Sequence, residues 1–136
     1  MPKEIWINLP VKDVTKAKDF FVSLGFTFNE KHSNEKMTAM QVSDKSIALM
    51  LFETNMFSHV NQMPVTDTKS SSEVLFSLDA ASKEEVDEWA KKAETAGGNV
   101  FAQPATIQGW MYGCAFADLD GHRWNVLYMD MSRMNG

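Results

Sequence analysis

Apolar residues along this chain alternate, then recur at helical spacing, and the sequence does this twice. Between Ile5 and Val11, Trp6, Asn8 and Pro10 fall on one face and Ile5, Ile7, Leu9 and Val11 on the other. That pattern predicts a strand with a wholly apolar back, suited to packing on a helix. Its front holds an amide and a large aromatic, suited to lining a cavity. Asp13 can accept N–H bonds at the start of a following helix. Val14, Ala17, Phe20, Phe21 and Leu24 then form a buried helical stripe, and Gly25 ends it as a left-handed cap. Short strands are predicted over 26–30, 37–42 and 47–52, with a hairpin turn at Ser43-Asp44-Lys45-Ser46.

The stretch 56–72 is polar, contains Pro64 and ends in Ser70-Ser71-Ser72. It is long for a plain loop, so it is expected to cover a cavity or hold a short helix. A strand follows over 74–78. Ser82-Lys83-Glu84-Glu85 is a capping box at the head of a second helix. Val86, Trp89, Ala90, Ala93 and Ala96 form its buried face, and Gly97-Gly98 stops it. Strands are predicted over 99–102, 111–117 and 124–129, with a tight turn at Asp118-Leu119-Asp120-Gly121. The second half thus repeats the first: strand, helix, glycine, three strands. The halves share little identity, so the repeat rests on pattern, which sets Trp6 opposite Glu73 and Leu51 roughly opposite Asn125. The plainer alternative is an α+β domain with two unrelated runs.

Composition narrows the classes. A chain of 136 residues with 44% hydrophobic content is expected to fold as one domain with a real core. A net charge of -5 and the lack of a basic stripe argue against nucleic acid as a partner. The longest strongly apolar run, 47–52, is far too short for a bilayer, and Met1-Pro2-Lys3-Glu4 lacks the apolar stretch of a signal peptide. Cys114, the single cysteine, has no partner for an internal disulfide. Together these lead to the expectation of a cytoplasmic protein with no membrane partner. The 10 methionines fill core gaps or give a cavity an adaptable wall.

The run from Gly109-Trp110-Met111-Tyr112-Gly113-Cys114-Ala115-Phe116-Ala117 through Asp118-Leu119-Asp120-Gly121-His122-Arg123-Trp124-Asn125-Val126 resembles the closing strands of the glyoxalase / bleomycin-resistance / extradiol-dioxygenase superfamily, also called vicinal oxygen chelate. Asn8-Leu9-Pro10-Val11-Lys12-Asp13, with Phe20-Phe21-Val22-Ser23-Leu24-Gly25-Phe26 downstream, is similar to its first helix unit. The resemblance spans nearly the whole chain and points to small bacterial proteins labelled glyoxalase-like or lactoylglutathione-lyase-related. It implies an α+β fold of two βαβββ modules, about 4–55 and 73–130, within a single domain over 1–136. The modules would form a curled mixed sheet around an open cup, with helices packed outside. It also implies a homodimer.

Enzymes of this superfamily often hold a divalent metal through His, Glu or Gln from the first and last strands of each module. The metal needs several N or O donors converging on one point, with open positions for substrate. The resemblance puts Trp6, Leu51, Glu73 and Asn125 at those positions. An indole N–H only donates, and leucine offers nothing. Asn125 stands where the family pattern reads Trp-Glu-Val, and its amide oxygen is a weak, neutral ligand. The expectation is therefore no metal cofactor, with a divalent metal held weakly by Glu73 and Asn125 as the alternative. The histidines do not change this. His122 is expected to bond backbone beside its turn, His32 to be solvated, and His59 to lie in the joining segment. Cys114 alternates with Tyr112 and Phe116, so the three share one side. With no basic neighbour, nucleophilic catalysis by the thiol is not expected.

If the matched positions line a cup, alternation adds Asn8, Leu49, Leu75, Arg123 and Leu127 to them, with Trp110, Tyr112 and Phe116 closing one end. The candidate small-molecule contacts are Trp6, Asn8, Leu51, Glu73, Trp110, Tyr112, Arg123 and Asn125. Glu73 is the candidate catalytic residue: partial burial would suit its carboxylate to acid–base work, whereas a wet strand end would not. Three functions stay open. One is a small-molecule-binding protein without the complete family metal site. Another is a metal-dependent lyase/isomerase or dioxygenase acting on a small carbonyl or vicinal-oxygen substrate. The third is an interaction module with a vestigial cup. No phosphate loop or dinucleotide fingerprint is present.

Overall fold

A computed structural model describes residues 1–45 and 47–133, apart from the His32 side chain. The expected turn at 43–46 is therefore described only as far as Lys45, and the expected solvation of His32 lies outside the described residues. The chain divides into two compact units, Met1–Thr66 and Asp67–Gly136.

The first unit runs β1 (Ile7–Val11), α1 (Val14–Ser23), β2 (Thr27–Asn29), β3 (Met37–Gln41), β4 (Ala48–Glu53) and α2 (Thr54–Asn61). The second runs β5 (Leu75–Asp79), α3 (Lys83–Thr95), β6 (Asn99–Ile107), β7 (Met111–Ala117) and β8 (Arg123–Met129). The sheets have the orders β1-β4-β3-β2 and β5-β8-β7-β6, the same arrangement in both units. In each, the first and last strands pair in parallel and the rest antiparallel. The fold is α+β, built from two βαβββ modules, and the repeat read from pattern is a repeat in space.

Local chemistry explains the two longer helices, α1 and α3. Asp13 accepts from the Lys16 N–H at 3.0 Å at the head of α1. Ser82 accepts from the Glu85 N–H at 3.1 Å, and Glu85 reaches back to the Ala81 N–H at 2.8 Å. Gly25 ends α1 at φ 103° and Gly97 follows α3 at φ 101°, where a side chain would be strained.

Three boundaries differ from expectation by two residues or more. β1 starts at Ile7, because Ile5 and Trp6 are 81% and 65% exposed and lack a pairing partner. The joining segment does hold a short helix, α2, but it begins at Thr54, where Glu53 accepts from the Asn55 N–H at 2.8 Å. β6 runs to Ile107 rather than stopping at 102. It passes Pro104 because it is an edge strand, with register shifts between Val100 and Ala105.

One face of each sheet is buried with its helix. Leu9, Val11, Phe21, Met40, Leu49 and Leu51 form the first core, at 7% exposure or less. In the second, the Phe116 ring lies 6.4 Å from both Trp89 and Trp124, nearly parallel to each. Among the described residues no helix is long and apolar enough to cross a membrane.

Candidate ligand-binding face

Strand register decides which side chains share a surface. Asn8 pairs with Met50 across β1 and β4, and Met50 pairs with Ala39 across β4 and β3. These three, with Trp6, Gln41, Ala48 and Phe52, lie on the open face of the first sheet, around a cavity of about 910 Å³. Glu4, Phe28, Asn29 and Ile47 complete its wall. Trp6, Phe28 and Phe52 are aromatic, Asn8, Asn29 and Gln41 carry amides, and Glu4 carries the one charge.

The same register corrects two expected lining residues. Leu51 pairs with Leu9 and Thr38, and Leu49 and Leu51 are 2% and 0% exposed on the helix-covered face. Neither reaches the cavity. Ala48, Met50 and Phe52 occupy it instead.

In the second unit Trp124 and Val126 are fully buried, so Arg123, Asn125 and Leu127 point to the open face, as alternation predicts. Arg123 does not run out to solvent; its guanidinium lies 4.2 Å from the centroid of the Phe101 ring. Asn125 pairs with Ser77 and Ala115, and its Oδ1 is buried with no hydrogen-bond donor among the described residues.

Tyr112, Cys114 and Phe116 do share one side, but it is the helix side. Tyr112 Oη donates to Asp87 of α3 at 2.7 Å, and that bond raises its phenol above the usual range. Cys114 Sγ lies 3.7 Å from the Val86 carbonyl oxygen. Tyr112 and Phe116 therefore do not close an end of the open face. Trp110, half-buried in the turn before β7, borders with Tyr112 a hollow of only about 20 Å³, room for about one water. Burial, followed by the charge of Asp87, pushes the Cys114 thiol up to about 11, so it is a core group and not a nucleophile.

Glu73 sits in an exposed bend ahead of β5. The partial burial on which its acid–base role depended is absent. The helix caps also change its partner in the repeat. Trp6 and Leu75 each stand seven residues before their caps, Asp13 and Ser82, whereas Glu73 corresponds to Glu4. Asn8 and Ser77, each five residues before a cap, pair with Met50 and Asn125. The matched positions are thus Trp6, Met50, Leu75 and Asn125.

In neither unit do the matched positions suit a divalent cation. The first unit offers a donor-only indole and a soft thioether, the second an alkyl group and one neutral amide oxygen. Among the described residues no three His, Cys, Asp or Glu side chains cluster to hold a metal. The backbone N–H of His122 donates to the Asp118 carboxylate at 3.0 Å within its turn, and His59 is exposed in the last turn of α2.

Sequence reasoning missed Glu4, Phe28, Asn29, Ala39, Gln41, Ile47, Ala48, Met50 and Phe52. The signal that locates most of them is register with Asn8. An unbroken apolar run such as 47–52 has no phase of its own.

Solved structures share this architecture. A hypothetical protein from S. aureus is 36% identical, with 94% of each chain covered and a TM-score of 0.84. A glyoxalase-related enzyme from Fulvimarina pelagi is 16% identical over 94% of this chain and 88% of that one, with a TM-score of 0.81. A lactoylglutathione lyase from Agrobacterium tumefaciens is 20% identical over 94% and 95%, with a TM-score of 0.67. No match was found among curated proteins. The family model for the glyoxalase/bleomycin resistance protein/dioxygenase superfamily matches residues 5–126, and the chain belongs to that superfamily.

Proposed function

We propose that this protein binds a small organic molecule on the open face of its first sheet and does so without a resident metal ion. The observation that carries the reading is the cavity of about 910 Å³ between Trp6, Met50 and Phe52. Its volume and its mix of aromatic walls with a few amides match small-molecule sites in general. Ala39 and Ala48 give the floor depth, because short side chains there leave room that larger neighbours would fill. A metal held on this face for a lyase or dioxygenase reaction would need donors that Trp6 and Met50 do not supply. The reading extends to a cytoplasmic homodimer; sedimentation of the purified chain checks the dimer, and cell fractionation checks the location.

Intrinsic tryptophan fluorescence tests the binding. Titration with small planar aromatics should give a saturable change, and Trp6→Ala should weaken the affinity about tenfold or more. Absence of saturable binding at millimolar concentration, or unchanged affinity in Trp6→Ala, would overturn the proposal.

A further inference from the structure

We infer that the ligand of this face is a cation, a protonated or quaternary amine attached to an aromatic or alkyl body. The inference rests on the binding reading above and adds the charge of what is bound.

Glu4 is the only charged side chain among the described residues that line the cavity; no Lys, Arg or His lines it. A buried anion needs a cationic partner or several converging donors; this wall holds no cation, and its donors are neutral amides and one indole N–H. An organic cation finds two kinds of partner here. The first is the carboxylate of Glu4. The second is aromatic: Trp6 and Phe52 line the cavity, and the face of an aromatic ring carries a negative quadrupole that attracts a cation. The Phe28 ring pairs with Met40 on the helix side of the sheet, where Lys18 Nζ lies 5.8 Å from its centroid. That lysine is engaged by Glu30, so its charge is compensated before it reaches the cavity.

The amides agree with this polarity. Gln41 donates through Nε2 to the Ser43 carbonyl at 3.1 Å, which leaves its Oε1 to accept from an ammonium N–H. Asn29 Oδ1 is occupied by the Lys31 N–H at 3.0 Å, so that residue offers its Nδ2 donor to a neutral acceptor on the ligand body. Selectivity against carboxylates and other anions follows from repulsion by Glu4 together with the missing basic group.

Three probes of similar size separate the possibilities: benzyltrimethylammonium, benzyl alcohol and benzoate. Each is titrated against the full chain by fluorescence at low and at physiological salt. The expected order is cation, alcohol, benzoate, with the cation about tenfold or more tighter than the alcohol. Glu4→Gln should bring the affinity for the cation to within about twofold of that for the alcohol in the same variant. Glu4 is an exposed residue ahead of β1, so this variant keeps the core intact. Equal binding of all three probes, or tighter binding of benzoate, overturns the charge inference and leaves the binding site standing. Failure of all three to bind overturns the site and the inference together.

Discussion

The indole Nε1–H of Trp124 donates to Asp118 Oδ2 at 3.1 Å, and both side chains are buried. The other oxygen of that carboxylate accepts the N–H groups of Asp120 and His122, each at 3.0 Å. Asp118 thereby ties the 118–121 turn to the ring stack of the second core. Thr68 Oγ1 donates to the Asp120 carbonyl at 2.6 Å on the same turn.

Removing this carboxylate should cost about 2–4 kcal/mol in urea denaturation for Asp118→Ala, since a buried indole N–H and two backbone N–H groups lose their acceptor. Asp118→Asn keeps an acceptor for the backbone pair but turns an amide nitrogen toward the indole N–H. Its cost should be smaller, about 1–3 kcal/mol. Equal stability of Asp118→Ala and the parent chain would contradict the arrangement.

Leu51 and Met50 are neighbours in sequence with opposite duties. Leu51→Ala opens a hole in a fully buried site and should cost about 2–5 kcal/mol, with ligand affinity little changed in the folded fraction. Met50→Ala should cost less stability and should weaken binding severalfold. The reverse pattern would place the cavity on the wrong face of β4.

Cys114 should be silent to thiol reagents in the folded chain. Burial raises its thiol to about 11, so at pH 8 its thiolate fraction is far below that of an unfolded cysteine, whose pKa is about 8.5. The unfolded chain therefore releases the proton first. The thiol's contribution to stability is fully present below about pH 8.5 and is lost as pH rises toward the folded value. Cys114→Ala should flatten that alkaline decline, and urea midpoints between pH 8 and 10 read it out.

Gly113 lies in the middle of β7. A Cβ there would come 2.6 Å from Leu127 Cδ2 and 2.8 Å from the Val126 carbonyl oxygen. The second contact is backbone, so Gly113→Ala must push β7 and β8 apart. A loss of about 1–3 kcal/mol is expected. Unchanged stability by thermal melting would show that the strands have slack there.

Much of the fold could be read from residues. Asp13 and Ser82 mark both helix starts because capping is local chemistry, and Gly25 and Gly97 mark the ends for the same reason. The site was harder to read. Alternation groups Tyr112, Cys114 and Phe116 together, but only the packing of Asp87, Val86 and Trp89 of α3 against them shows which side they face. In β4, Ala48 to Phe52 is apolar on both faces because Leu49 and Leu51 fill the core while Ala48, Met50 and Phe52 line the cavity, so pattern carries no phase. Pairing with Asn8 supplies it. Glu73 stood out as a lone carboxylate beside an apolar strand, yet its bend is exposed, while the corresponding Glu4 lies at a cavity.

The most direct test uses methionine methyl groups as reporters. Met50 lines the cavity, while Met40, paired with Leu49, is fully buried on the opposite face of the same sheet. In a chain labelled with [methyl-13C]methionine, benzyltrimethylammonium should shift the Met50 resonance saturably and leave that of Met40 in place. A saturable shift at Met40, or at Met111 and Met129 of the second sheet, with Met50 unmoved would contradict the account.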